Sequence, residues 1–278
     1  MISWEKVCTP RAEGGLGIRD SITWNYAAIG KLVWWLYAKP DSLWVKWVHH
    51  IYTKGTSWQS YSPKADVSWS WKTICKVKDK LASGYVSGQW SAIPAGYSIS
   101  SGYHWLRQKH PPVIWHKPVW NSWCIPKHNF INWLIAREAL HLRDKLYHLG
   151  IIQDDLCLLC GAAAESHAHL FQQCHYTRLL LQSLKTKLNL TLPTANLLVW
   201  IYRKPWSSVK KKVALAWVQA LFYEVWMQRN RVRIEGSLMH PQHVMDKLGA
   251  LMKFRYLSWQ NCKLSLNEET WLNSINNG

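Results

Sequence analysis

The chain has 278 residues, room for two modest domains or one elongated one, and its 48% apolar content is ample for a buried core. Its formal net charge is +18, spread as +6, +5 and +7 over residues 1–84, 85–196 and 197–278, so the surplus is not confined to a tail. Seven cysteines, an odd number, and no signal-like apolar stretch after Met1 argue against a secreted disulfide framework. An intracellular protein, cytoplasmic or nuclear, is expected.

Evenly spread positive charge favours a polyanion as partner, nucleic acid before an anionic membrane. The plainer alternative is a basic soluble protein without such a partner. The apolar run 213–227 contains Gln219 and Glu224 and is too short to span a bilayer, so no membrane segment is expected. The 21 tryptophans exceed what a typical domain carries, and Trp34, Trp44 and Trp47 are spaced as core anchors.

In chain order, Gly14, Gly15 and Gly17 lie where a phosphate cradle is conceivable. No strand precedes them and no complete glycine-rich phosphate motif follows, so they read as a turn. Asp20 or Ser21 caps a helix running to about Tyr37, with Trp24, Ala27 or Ala28, Leu32 and Trp35 inward. Lys39-Pro40 ends it, because the residue before proline is pushed out of helical geometry. A second helix from Asp41 or Ser42 sets Leu43, Trp44, Trp47 and Ile51 on one side. A third, about 69–81, carries Lys72, Lys76, Lys78 and Lys80, read as a solvated face.

Pro94-Ala95-Gly96 is a turn signal between short β-prone pieces, giving a small hairpin with Tyr97 and Ile99 on one face. Ser100 or Ser101 caps a short helix with Tyr103, Trp105 and Leu106, and Pro111-Pro112 breaks it. Pro126 enters a helix holding Phe130, Ile131, Trp133 and Leu134. Arg143 and Asp144 begin another, with Leu146 and Leu149 inward and Gly150 as its C-cap.

Cys157-Leu-Leu-Cys160-Gly161, followed by His169 and Cys174, has the spacing C-x2-C-x8-H-x4-C. A tetrahedral Zn²⁺ takes four soft or borderline ligands, and a C-x2-C turn delivers two thiolates from one tight loop. Gly161 suits that turn because it tolerates positive φ. Cys157, Cys160, His169 and Cys174 fill four positions and leave none for water, which marks a structural rather than a catalytic metal. His167 and His175 are the alternatives to His169. The competing reading is buried free cysteines beside a surface histidine pair. Asp154 and Asp155, neighbours that point apart, read as a turn or as a local electrostatic influence on the thiolates.

After Cys174, Leu180, Leu184 and Leu188 opposite Arg178, Lys185 and Lys187 form an amphipathic helix. The metal is expected to pin it to the helices of 130–150. Residues 190–193 are a linker. Residues 207–233 form the longest helical pattern, with Val209, Val213, Ala216, Trp217 and Ala220 apolar. Lys210, Lys211 and Lys212 stand at its start, and Arg229, Arg231 and Arg233 at its end. These six are the candidate phosphate contacts, with Trp226 available for base stacking, though arginines at a helix end also suit the macrodipole. A further helix runs from Pro241 to about Leu257, followed by a frayed tail.

Several of these stretches resemble one family. SWEKVCTPRAEGGLGIRD followed by WNYAAIGKLVWWLYAKPDSLWVKWVHHIY is similar to the segment after the polymerase domain in plant LINE-type (non-LTR) retrotransposon reverse transcriptases. CLLCGAAAESHAHLFQQC resembles that family's reverse-transcriptase zinc-binding domain. GYSISSGYHWL and VWNSWCIPKHNFINWLIAREALHLRDKLYHLGI occur between them in the family's order. EVWMQRNRVRIEG resembles a tryptophan-and-arginine tract found downstream in these proteins.

The resemblance implies three parts. Residues 1–84 are a helical segment that follows the polymerase, 85–190 the zinc-binding domain and 191–278 a basic helical region. The expected fold is mostly α with a small β-hairpin, a zinc-stapled helical domain followed by a long C-terminal helix. The expected function is a zinc-binding, nucleic-acid-binding module without small-molecule substrate. The alternative is a structural or protein-interaction domain in which zinc only holds the fold. No Tyr-x-Asp-Asp polymerase signature, G-x-S-x-G or H-E-x-x-H occurs, and the 16 carboxylates show no spread like a nuclease metal site, so no catalytic activity is expected.

Overall fold

A computed structural model of the chain describes residues 2–39, 41–90, 96–191, 193, 196–258 and 264–277. They are mostly helical, and their one β-contact is an antiparallel bridge between Leu156 and Ala164. The chain forms two compact units, residues 3–111 and a unit built on 112–278. The cut falls inside the 85–190 stretch that the resemblance assigns to a single domain.

The unit 3–111 holds α1 (Trp4–Cys8), α2 (Ser21–Ala38), α3 (Leu43–Val48), α4 (Trp69–Val86) and α5 (Ile99–Leu106). Asp20 caps α2 by accepting the Thr23 amide at 2.8 Å. Its inward residues are Ala27, which the expected face included, and Gly30, Val33 and Leu36, while Trp24, Leu32 and Trp35 of that face are half-buried. Close packing against α4 and α5 selects that side: a Cβ on Gly30 would lie 2.2 Å from the Tyr97 hydroxyl, which donates to Ala27 O at 2.7 Å. The tryptophans flank this seam instead.

In α3 the expected face is reversed as well. Val45 and Val48 are buried, Trp44 is half-buried, and Leu43, Trp47 and Ile51 are exposed. Lys78 is not on a solvated face. It is 5% exposed and donates to Tyr61 O at 2.5 Å, with its ammonium 5.3 Å from the Trp58 ring centre. The turn at Pro94-Ala95 lies outside the described residues. Ile99, expected in a strand, opens α5, because Ser98 and Ser101 form a reciprocal capping box there. The glycine loop hydrogen-bonds to its own chain, Gly15 N–H to Pro10 O at 3.0 Å and Gly17 N–H to Thr9 O at 2.9 Å, as a turn does.

The second unit contains α6 (His116–Val119), α7 (Pro126–Ala136), α8 (Arg143–His148) and α9 (His175–Leu188), then α10 (Leu197–Arg203), α11 (Ser208–Glu235), α12 (Pro241–Ser258) and α13 (Leu266–Asn277). Helix α11 is its axis: α7, α9, α10 and α12 all pack on it, and Val213 to Phe222 are buried without interruption. Two of its polar core residues are tied to neighbouring chain, with Gln219 Nε2 donating to Pro118 O at 2.7 Å and Lys247 Nζ to Glu224 Oε2 at 2.9 Å. None of the described helices is long and apolar enough to cross a membrane.

On α7 the buried set is His128, Asn132 and Trp133, while Phe130 is exposed. Asn132 reaches across to α11, where its Nδ2 donates to Gln219 O at 3.0 Å. Leu149 is exposed too, since α8 ends at His148. Helix α9 packs on α11 and α12 rather than on the 130–150 helices. The expected frayed tail is α13, anchored by buried Leu272 and Ile275 and opened by Ser265 and Glu268, each side chain accepting the other's amide.

Candidate metal centre

Three short pieces of chain deliver the four side chains. Cys157 and Cys160 sit in a minimal hairpin, closed by Cys157 N–H to Ala163 O at 2.8 Å and Glu165 N–H to Asp155 O at 2.8 Å. Gly161 turns the chain at φ +64° and donates to Cys157 O at 2.7 Å. His169 opens a π-helical turn, His169–Gln173, closed by Cys174 N–H to His169 O at 2.7 Å. That i to i+5 bond brings the H-x4-C pair to one side, a use to which single π turns are often put. Cys174 is also the N-cap of α9.

The donor atoms of Cys157, Cys160, His169 and Cys174 all lie within 4.8 Å of one another. Cys157 Sγ and Cys174 Sγ are 3.9 Å apart, and Cys160 Sγ is 3.2 Å from His169 Nε2. A tetrahedral site with Zn–S of about 2.3 Å has sulfur–sulfur edges of about 3.8 Å, so the first separation fits. The Cys174 thiol is held down chiefly by the hydrogen bond from Cys157, against opposing burial, with amides of Thr177 and Tyr176 assisting. The Cys157 thiol is pushed up by the same bond and by burial. Two sulfurs sharing a proton in this way are suited to a dication that displaces it. His167 is not in the cluster, and His175 is exposed at the first turn of α9.

Glu165 ties this loop to the protein axis, a role that spacing alone does not reveal. It is fully buried, and its Oε1 accepts from Arg229 Nε at 2.9 Å and Nη2 at 2.7 Å, and from the Arg143 amide at 3.1 Å. Its Oε2 accepts the Leu158 amide, inside the C-x2-C turn, at 3.2 Å. A signal was present: Arg229 continues the Phe222–Val225 stripe at helical spacing, and a cation there needs a buried partner. Asp154 forms the expected turn, accepting the Leu156 amide at 3.1 Å and pairing with Arg143.

The six candidate phosphate contacts do not form one set. Arg229 is 1% exposed and committed to Glu165, with Trp226 5.2 Å away beneath its guanidinium, so it does not reach a surface phosphate. Arg231 pairs with Glu235 at 2.9 Å, and Arg233 is exposed. The three lysines lie on aromatic rings. Lys210 is 5.2 Å from both Trp206 and Trp271, Lys211 is 5.9 Å from Tyr202, and Lys212 is 5.3 Å from Trp123. Lys204, not among the six, stands 4.2 Å above Trp200, and Trp200 meets Trp206 edge-on at 5.8 Å.

Residues 97–180 match the family model described as zinc-binding in reverse transcriptase. An Arabidopsis thaliana protein, named as a candidate ribonuclease H protein, is 37% identical over 87 residues. That match covers 30% of this chain and 14% of the relative, so the chain spans only a small part of that protein's length. No solved structure matches the chain. The four convergent side chains fall inside the matched residues, so the segment with metal-binding geometry is also the one similar to a reverse-transcriptase zinc-binding domain.

Proposed function

We propose that the protein is a zinc-dependent nucleic-acid-binding module of a plant LINE-type reverse transcriptase, acting without catalysis inside the cell, in cytoplasm or nucleus. The convergence of three sulfurs and one imidazole nitrogen within 4.8 Å carries the zinc reading. Cys157, Cys160, His169 and Cys174 would hold one Zn²⁺, which supplies folding energy and, with four protein ligands, leaves no position for a substrate. The basic-aromatic surface of α10 and the start of α11 supports the nucleic-acid reading. There Lys204, Lys210 and Lys211 are interleaved with Trp200, Tyr202 and Trp206, and single strands are held by phosphate contacts together with base stacking.

A second reading, in which zinc only maintains a structural or protein-interaction domain, is favoured by the internal use of Arg229 and by the lysines resting on rings of their own chain. One pair of measurements separates the two. Metal analysis should return one zinc per chain, and a value near zero ends the zinc reading. Anisotropy of a labelled single strand at two salt concentrations should then show steep weakening. The Lys204→Gln/Lys210→Gln/Lys211→Gln variant should lower the salt slope by roughly 0.7 for each phosphate that is no longer neutralised. No binding at low salt selects the structural reading.

A further inference from the structure

The unit built on 112–278 also holds a half-open cavity of about 220 Å³, walled by α7, α10, α11, the π-helical turn and the chain around α6. Trp115, Phe171 and Phe222 contribute aromatic wall, and Asn132 and His167 are the polar residues of interest on it. Asn132 is 1% exposed, and its Nδ2 donates to both His128 O at 2.9 Å and Gln219 O at 3.0 Å. Only the amino end of an amide can serve two carbonyls, so the atom left over is the acceptor Oδ1. That Oδ1 and His167 Nε2 are buried with no partner among the described residues. A buried acceptor without a donor bears its full desolvation cost.

Volume sets the ligand's size. An apolar cavity of roughly 150 Å³ admits benzene, and pockets for drug-sized molecules begin near about 300 Å³, so this one suits a single ring or a small fused pair. We propose that the cavity receives one unstacked nucleobase of a bound strand, its face against the aromatic wall. The source of the base rests on the nucleic-acid reading above; the fit of an aromatic ring does not. Two observations favour a strand. The +18 charge attracts phosphates, and Leu197 to Val199 of the cavity wall run directly into Trp200 on the same short helix and Lys204 just past its end. A tyrosine or tryptophan side chain of a partner peptide has similar chemistry but gives the basic surface no role.

The test uses metal-replete full-length protein, a labelled oligothymidylate and the same strand made abasic. Ala136→Phe fills the cavity without removing a hydrogen bond, and Leu198→Trp fills it from α10 should the first variant fail to fold. Wild type should prefer the base-bearing strand by about ten-fold or more, the scale of base–aromatic stacking. The filled variant should lose most of that preference while binding the abasic strand as before. An unchanged preference overturns the cavity proposal and leaves the nucleic-acid reading intact. If no strand binds, saturation-transfer NMR with uridine and with indole decides what the cavity takes. Uridine binding sensitive to Ala136→Phe would make the ligand a free nucleoside, and indole binding alone a peptide side chain. Either result, or binding of neither, overturns the strand-base proposal.

Discussion

Arg229 shows how a residue's role turns on one partner. Its charge sits on the longest helix, beside exposed Arg233, yet the guanidinium is sealed against Glu165. Removing one member of a buried ion pair leaves the other charge uncompensated, at a cost of about 3–5 kcal/mol. Arg229→Gln should therefore lower the urea-denaturation stability by roughly that amount and weaken zinc retention, since Glu165 also holds the Leu158 amide of the C-x2-C turn. Glu165→Gln combined with Arg229→Gln should recover part of the loss, because no isolated charge remains. If the single variant is as stable as wild type, the pair does not tie the metal loop to the axis.

Among elements, α2 and α12 set the same substitution in opposite surroundings. A Cβ at Gly30 of α2 meets the Tyr97 hydroxyl at 2.2 Å, whereas at Gly249 of α12 nothing lies within 4 Å. Alanine in place of glycine in a helix interior is worth up to about 1 kcal/mol, and forcing atoms into a packed seam costs about 1–3 kcal/mol. Gly30→Ala is thus expected to lower the melting temperature and Gly249→Ala to raise it modestly. Thermal scans of the two variants side by side would check both signs. Equal shifts would mean that the α2 seam relaxes around a methyl group.

At the scale of the whole molecule, all four candidate ligands belong to one compact unit. Chelation or acid should therefore act unevenly. Thiolates must stay deprotonated to bind metal, so protonation releases it and withdraws its folding energy. Hydrogen exchange on chelator-treated protein is expected to show diminished protection around 140–190, with protection in 3–111 largely kept. The same result should follow Cys160→Ser. Uniform loss across the chain would mean that the two units unfold together, and unchanged protection would mean that the metal is dispensable for the fold.

The sequence by itself determined what depends on near neighbours. Four ligands within 18 residues converge through a tight turn and a π turn, so spacing carried the information. Asp20, Pro126 and Ser207 marked helix starts through bonds or steric fits that close within a few residues. Ser265 and Glu268 carry an equally local signal for α13, where a frayed tail was expected. Only the tertiary structure decided which charges are internal, as with Lys78 and Arg229, and which side of α2, α3 and α7 faces inward. Burial is fixed by partners well separated along the chain: Tyr97 for Gly30, Tyr61 for Lys78, Gln219 for Asn132 and Glu165 for Arg229. Periodicity shows that a helix has faces, but the space and hydrogen-bonding groups that its neighbours leave open select the buried one.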